Sequence, residues 1–224
     1  MSELAERLEV VEKRILSACK QAGRSRDEVK LLAVSKTKPA EMVDHFVSLG
    51  LRFFGENKVQ EAQGKIPVCA QQADWHLIGH LQSNKAKIAA KIFNMIHTVD
   101  SLKLLRMLDS HAETILPILI QVNVAGEAIK FGAHPDNIEE LINEANQLQN
   151  CEVHGLMTIP PFSKDPEKTR EHFISLRKLR DRLESSTGTF LPELSMGMSH
   201  DLEVAIEEGS TWIRVGTDLF GARG

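Results

Sequence analysis

Tyrosine is absent from this chain, and aromatic residues of all kinds make up only 5% of its 224 positions. Any chemistry that needs a phenol as acid or base must therefore use another group. Cysteine is scarce too. Cys19, Cys69 and Cys151 are odd in number, widely spaced and outside any C-x-x-C pattern, which argues against a disulfide framework or a zinc site and for a reducing, cytoplasmic setting. No apolar run reaches membrane-spanning length, and Met1 to Lys20 is a charged amphipathic segment unlike a signal peptide. Neither sign of charge dominates: 27 basic against 31 acidic residues leave −4. That balance offers no footprint for nucleic acid and no polybasic anchor. The chain also lacks G-x-G-x-x-G, a P-loop, an internal repeat and a linker rich in Gly, Pro or Ser, so residues 1–224 are expected to form one domain.

What remains is a regular alternation of strand-like and helix-like segments. Residues 1–22 carry apolar positions at helical spacing, namely Leu4, Leu8, Val11, Ile15 and Ala18. Strands are expected at Leu31–Lys36, Phe53–Phe54, Trp75–Leu81, Met95–Val99, Ile118–Val124, Val153–Ile159, Glu193–Ser195 and Thr211–Val215. The segments between them have helical signals. Pro39 sits in an expected first turn with Gly50 as the stop, residues 57–70 form a helix, and Ser83 and Asp100 act as N-caps. A further helix spans Ser199–Glu208. Eight strands with crossover helices, in a chain a little shorter than the roughly 250 residues usual for the fold, predict a single (β/α)8 TIM-type barrel of the α/β class, preceded by an extra N-terminal helix.

Barrel enzymes place functional groups at the carboxyl ends of strands, and three such ends stand out. Lys36 closes the first apolar run. From a reference pKa of about 10.4 an ordinary lysine is only about 0.04% neutral at pH 7, but desolvation lowers that pKa and favours Schiff-base chemistry. Taken alone, Lys36 reads rather as a lysine reaching from the strand end into water. After strand seven, Gly197 lets the backbone turn and Ser199 offers a hydroxyl; Gly216 and Thr217 follow strand eight. Loops seven and eight are where such barrels bind phosphate, with Ser199 as a plain N-cap the alternative. Alternation along strand eight puts Trp212, Arg214 and Gly216 on one face and the aliphatic Ile213 and Val215 on the other. Arg214 then points into the barrel, where it needs an acceptor. A lysine, a phosphate cup and an inward arginine describe a site for pyridoxal 5′-phosphate. Lys36 would hold the cofactor as a Schiff base, Ser199, Gly216 and Thr217 its phosphate, and Arg214 its ring nitrogen. A permanently protonated arginine would leave that nitrogen unprotonated and the ring a weaker electron sink.

Blocks of sequence carry a family resemblance in the same order. They are Ala33-Val34-Ser35-Lys36-Thr37-Lys38-Pro39, Phe54-Gly55-Glu56-Asn57, Trp75 to Lys85, Gly155-Leu156-Met157, Leu194 to Ser199, and Arg214-Val215-Gly216-Thr217 continuing to Arg223. The chain resembles the YggS/PROSC family of pyridoxal phosphate homeostasis proteins. The resemblance implies an alanine-racemase-like barrel with pyridoxal phosphate on Lys36, and a role in handling the intracellular cofactor. Lys58, His200 and the loop Ala125–Gly132 depart from the family's usual residues, leaving Lys36, Ser199 and Arg214 intact.

Three functions compete. In the first the protein binds and delivers cofactor, as a monomer, to apo-enzymes or in exchange with free amino acids. The second is a small amino-acid racemase or another pyridoxal-phosphate-dependent enzyme. The third is a cofactor-free aldolase working through Lys36. Racemisation needs two positioned acid–base groups; with no tyrosine, His80 or His200 would have to partner Lys36, so efficient turnover is not expected. Asn57, His80 and Met157 complete the expected cofactor contacts, with helix-start, structural-histidine and packing roles as their plainer readings. His76 and His80 lie about 13 Å apart on an extended strand, too far to share one ion. Lys85, Lys87 and Lys91 read as a solvated helix face.

Overall fold

The computed structural model describes residues 2–70, 72–126 and 131–221. Eight parallel strands close into a barrel in sequence order. They are β1 Lys30–Val34, β2 Phe53–Glu56, β3 Asp74–Leu77, β4 Met95–Val99, β5 Leu116–Gln121, β6 Cys151–Met157, β7 Glu193–Met198 and β8 Trp212–Val215. Around them run α1 Glu3–Gln21, α2 Ala40–Ser48, α3 Val59–Lys65, α4 Ala86–Ile92, α5 Leu102–His111, α6 Ile138–Ala145, α7 Arg170–Thr187, α8 Leu202–Glu207 and α9 Thr217–Phe220. The β1–β8 pairing closes the ring, with Leu32 opposite Arg214 and Ala33 opposite Val215.

Both faces of every strand are covered, so alternation sorts side chains between two interiors. Leu32, Val34, Met95, Leu119, Met157 and Trp212 pack inside the barrel. Leu31, Ala33, Trp75, Ile96, Ile118, Ile213 and Val215 face outward into the helical shell. The sorting on β8 follows the expected alternation. At the β6–β7 contact one strand has no room for a side chain: a Cβ on Gly155 would lie 1.8 Å from the Glu193 carbonyl oxygen.

Several boundaries move from their sequence-based positions. Pro39 is extended (φ −72°, ψ 160°) and stands just before α2. Ser101, not Asp100, caps α5, its side chain accepting from the Leu104 amide at 3.4 Å; Asp100 turns toward His80 instead. The expected 57–70 helix shortens to α3 plus a 3-10 turn at Ile66–Val68, where Pro67 withdraws a backbone donor. Ser83 opens a 3-10 turn ahead of α4 rather than capping it. Strands β5 and β6 begin two residues early, paired from Leu116 opposite Cys151. β3 ends at Leu77, and β7 continues to Met198. Helix α8 starts at Leu202, so Ser199 lies in the preceding turn and is not an N-cap.

The cysteines are free thiols, and burial raises the pKa of Cys69 to about 11 and of Cys151 to about 12, which suits packing rather than nucleophilic attack. Among the described residues no helix is long and apolar enough to cross a membrane. Gly155→Ala is expected to force β6 and β7 apart and cost about 2 kcal/mol or more, read as a lower urea midpoint with a folded-state spectrum otherwise preserved.

Candidate functional site

Lys36 occupies a tight turn at the end of β1, and the turn is held from below. The Lys38 amide donates to the Ser35 carbonyl at 3.0 Å, so Lys36 and Thr37 are its two central residues. Thr37 has φ 62°, the left-handed conformation a β-branched residue seldom adopts, at a cost of roughly 1–2 kcal/mol. Buried Lys65 fixes the near side by donating to the Ser35 carbonyl at 2.8 Å and to Glu56 Oε1 at 2.6 Å. The Ser35 hydroxyl donates to the same Glu56 oxygen at 2.7 Å. Glu61, which accepts from Lys65 at 3.0 Å, takes the Thr37 amide on the far side. The half-buried Lys36 side chain thus leaves a backbone gripped on both flanks. Burial raises the Glu56 pKa against the pull of Lys65 and Ser35, and Glu56 Oε2 is buried without a hydrogen-bond partner.

Arg214 points inward and is 3% exposed. It donates to Ser195 Oγ at 2.8 Å and to the Thr158 carbonyl at 3.0 Å, both neutral acceptors. Ser195 also meets His97 Nδ1 at 2.9 Å, and His97 Nε2 meets His76 Nδ1 at 3.0 Å. The donor inventory assigns the protons. Arginine only donates, so the Ser195 hydroxyl hydrogen goes to His97 Nδ1. His97 then carries its proton on Nε2 and passes a donor to His76. Burial pushes the His76 pKa down to about 3, with Lys30 adding to the effect. It pushes that of His97 well below the ordinary value, with help from His76 and Arg214. Desolvation lowers even the Arg214 pKa to about 10, leaving it a cation at neutral pH. The arrangement is one fixed charge backed by a neutral relay.

The loops after β1 and β8 meet at the barrel mouth. Lys36, Thr37, Gly216 and Thr217 line one cleft there. Gly216 packs against Val34, where a Cβ would sit 3.4 Å from that side chain, an ordinary contact. The first amides of α9 have no acceptor within the helix. In the turn after β7, the Met198 amide donates to Asp201 Oδ1 at 2.7 Å, and Ser199 is half-buried. The structure therefore gathers Lys36, Gly216 and Thr217, with Ser199 on the adjoining loop and Arg214 beneath. Met157 is fully buried among the interior apolar residues, next to the Thr158 carbonyl that receives Arg214.

Asn57 and His80 line a neighbouring cleft with Lys58, Gln82 and Lys85, at the ends of β2 and β3. His80 stacks on Phe131, ring centroids 3.8 Å apart, and stands 3.7 Å from Asp100. His200 is exposed and bonded to the Lys164 carbonyl. Arg223 and part of the Ala125–Gly132 loop lie outside the described residues. Among the described residues no cluster of His, Cys, Asp and Glu is placed to hold a metal ion. Sequence reasoning missed the Ser35–Glu56–Lys65 network and the Ser195–His97–His76 relay. One signal was available: Val59, Ala62 and Lys65 recur every third residue, which puts a lysine on a buried helix face.

Comparison with known proteins places the chain closely. The family model described as alanine racemase, N-terminal domain, matches residues 9–224. A pyridoxal phosphate homeostasis protein of Aquifex aeolicus is 46% identical over 222 residues, 97% of each chain. One from Pseudomonas aeruginosa is 45% identical, covering 100% of this chain and 97% of its own length. Among solved structures, PipY of Synechococcus elongatus PCC7942 with PLP bound superposes with a TM-score of 0.83 at 36% identity, over 98% of this chain and 100% of that one.

Two outcomes follow from the buried groups. Lys65→Met should strand a buried carboxylate at Glu56 and cost about 3–5 kcal/mol at pH 7. Glu56 has a folded pKa above its unfolded one, so the folded state takes up the proton first and the variant should regain stability as the pH falls from 7 toward 5. The histidines act with opposite sign. Their folded pKa values are depressed, so the unfolded state binds protons first and stability falls as the pH drops below about 6.5. Replacing His76 with Phe should flatten that limb by up to about 1.4 kcal/mol per pH unit, measured by urea titration at each pH.

Proposed function

This chain belongs to the alanine racemase N-terminal-domain family and within it to the pyridoxal phosphate homeostasis proteins, and on that premise we propose that it holds pyridoxal 5′-phosphate as a Schiff base on Lys36. The observation that carries the reading is the shared cleft of Lys36, Gly216 and Thr217 beside a buried arginine whose hydrogen-bond acceptors are both neutral. The residues fit the group. Lys36, Arg214, Ser199 and Thr217 are cations and hydroxyls, as a dianionic phosphate requires.

When bound, pyridoxal phosphate supplies an electrophilic aldehyde and an electron-withdrawing ring. The chain's own residues supply the rest. The gripped turn fixes the backbone from which the Lys36 amine would reach the aldehyde. Ser199, Thr217 and the amides around Gly216 bind the phosphate. Arg214, unable to accept a hydrogen bond, faces the ring nitrogen and keeps it unprotonated. This weakens the ring as an electron sink and favours storage over turnover.

The physiological role that fits is cofactor handling in the cytoplasm by a single-domain protein. It would release the cofactor to apo-enzymes or by exchange with free amino acids. Efficient racemisation lacks its second base: His80 is stacked in the neighbouring cleft and His200 is turned to Lys164. The test is an absorbance spectrum of purified protein, then borohydride reduction and peptide mapping. A visible band and a pyridoxyl mass on Lys36 are expected, with both lost in a folded Lys36→Ala variant. A Lys36→Ala protein that kept the band would refute the assignment. Sustained turnover of an amino acid enantiomer would favour the racemase instead.

A further inference from the structure

Arg14 lies on α1, far in sequence from every residue assigned to the cofactor, yet its guanidinium joins the two loops assigned to the phosphate. Nε and Nη2 form a fork on Glu203 of α8, at 2.7 and 2.9 Å. Nη2 also donates to the Ser199 carbonyl at 2.9 Å. Nη1 donates to Asp218, the residue directly after Thr217 in the first turn of α9. We propose that Arg14 is a positioning residue for the phosphate end of the cofactor site, which makes helix α1 a working part of that site. The inference rests on the reading that Ser199, Gly216 and Thr217 take the phosphate.

Two physical effects support it. The first is geometric. The turn after β7 and the start of α9 sit on separate strands, and one planar, five-donor group fixes their spacing. Helix α1 is itself well anchored: Val11, Ile15 and Ala18, on the face next to Arg14, are buried. The second is electrostatic. Glu203 and Asp218 put two carboxylates beside loops meant for an anion. Unpaired, they would repel a phosphate; paired with Arg14, which is only partly exposed, they are offset. The same side chain thus sets both the shape and the charge of the cup.

The test compares pyridoxal phosphate with pyridoxal, which has the same aldehyde and ring but no phosphate. Both affinities are measured by absorbance on full-length apo-protein. Wild type should prefer the phosphorylated form. Arg14→Gln should lose about 10- to 100-fold in affinity for pyridoxal phosphate, the scale of lost charge-assisted hydrogen bonds. Its affinity for pyridoxal should stay within about twofold. Arg14→Lys, which keeps the charge and loses the fork, should fall between. Equal losses for both ligands would mean a merely structural arginine and overturn the proposal; so would an unchanged preference. Should Arg14→Gln not fold, a wild-type preference in Arg14→Lys overturns it just as well. A wild type that does not distinguish the two ligands would instead bring down the phosphate reading itself, and this inference with it.

Discussion

The pairing of Lys65 with Glu56 is the constraint on which the site depends. Neither group is at home in the protein interior, and each is tolerable only because the other is present. What the pair secures is the backbone at Ser35, because Lys65 spends one of its donors on that carbonyl. With Glu61 holding the next amide, the chain is forced through a left-handed Thr37. That strain persists because the surrounding bonds over-determine it. On a relaxed loop the backbone that carries the amine would sample many positions; here that backbone is fixed before any ligand arrives.

The barrel's inside follows a different logic. Its polar residues form a line that starts at cationic Arg214 and continues through neutral groups, with Lys30 acting on His76 at the other end. Arg214 stays cationic, while burial keeps His97 and His76 neutral. Because arginine can only donate, each hydroxyl and ring nitrogen behind it has one proton position open to it. The relay therefore orients the guanidinium through a neutral hydroxyl.

Much of this was legible in the sequence, and for identifiable reasons. Strand order, barrel closure and the inward side of β8 follow from short-range periodicity, which Trp212, Ile213, Arg214 and Val215 display residue by residue. Lys36, Gly216 and Thr217 were legible because strand ends in a barrel converge on one face. Asn57 and His80 line a neighbouring cleft at the ends of β2 and β3, a difference between adjacent strands that face alone does not reveal. The Ser35–Glu56–Lys65 grip and the Arg14 fork were hidden. Both depend on long flexible side chains meeting across elements, and periodicity says nothing of where a lysine or arginine tip ends.

Closure of the ring through β1 and β8 also has a consequence for how the protein comes into being. A ribosome delivers the β1 turn and its lysine early, but the strand that seals the barrel and the loop beside that lysine come more than 170 residues later, from Lys36 to Trp212. No shortened nascent chain holds a finished pocket. The cleft shared by the β1 and β8 loops therefore forms only once the barrel has folded shut.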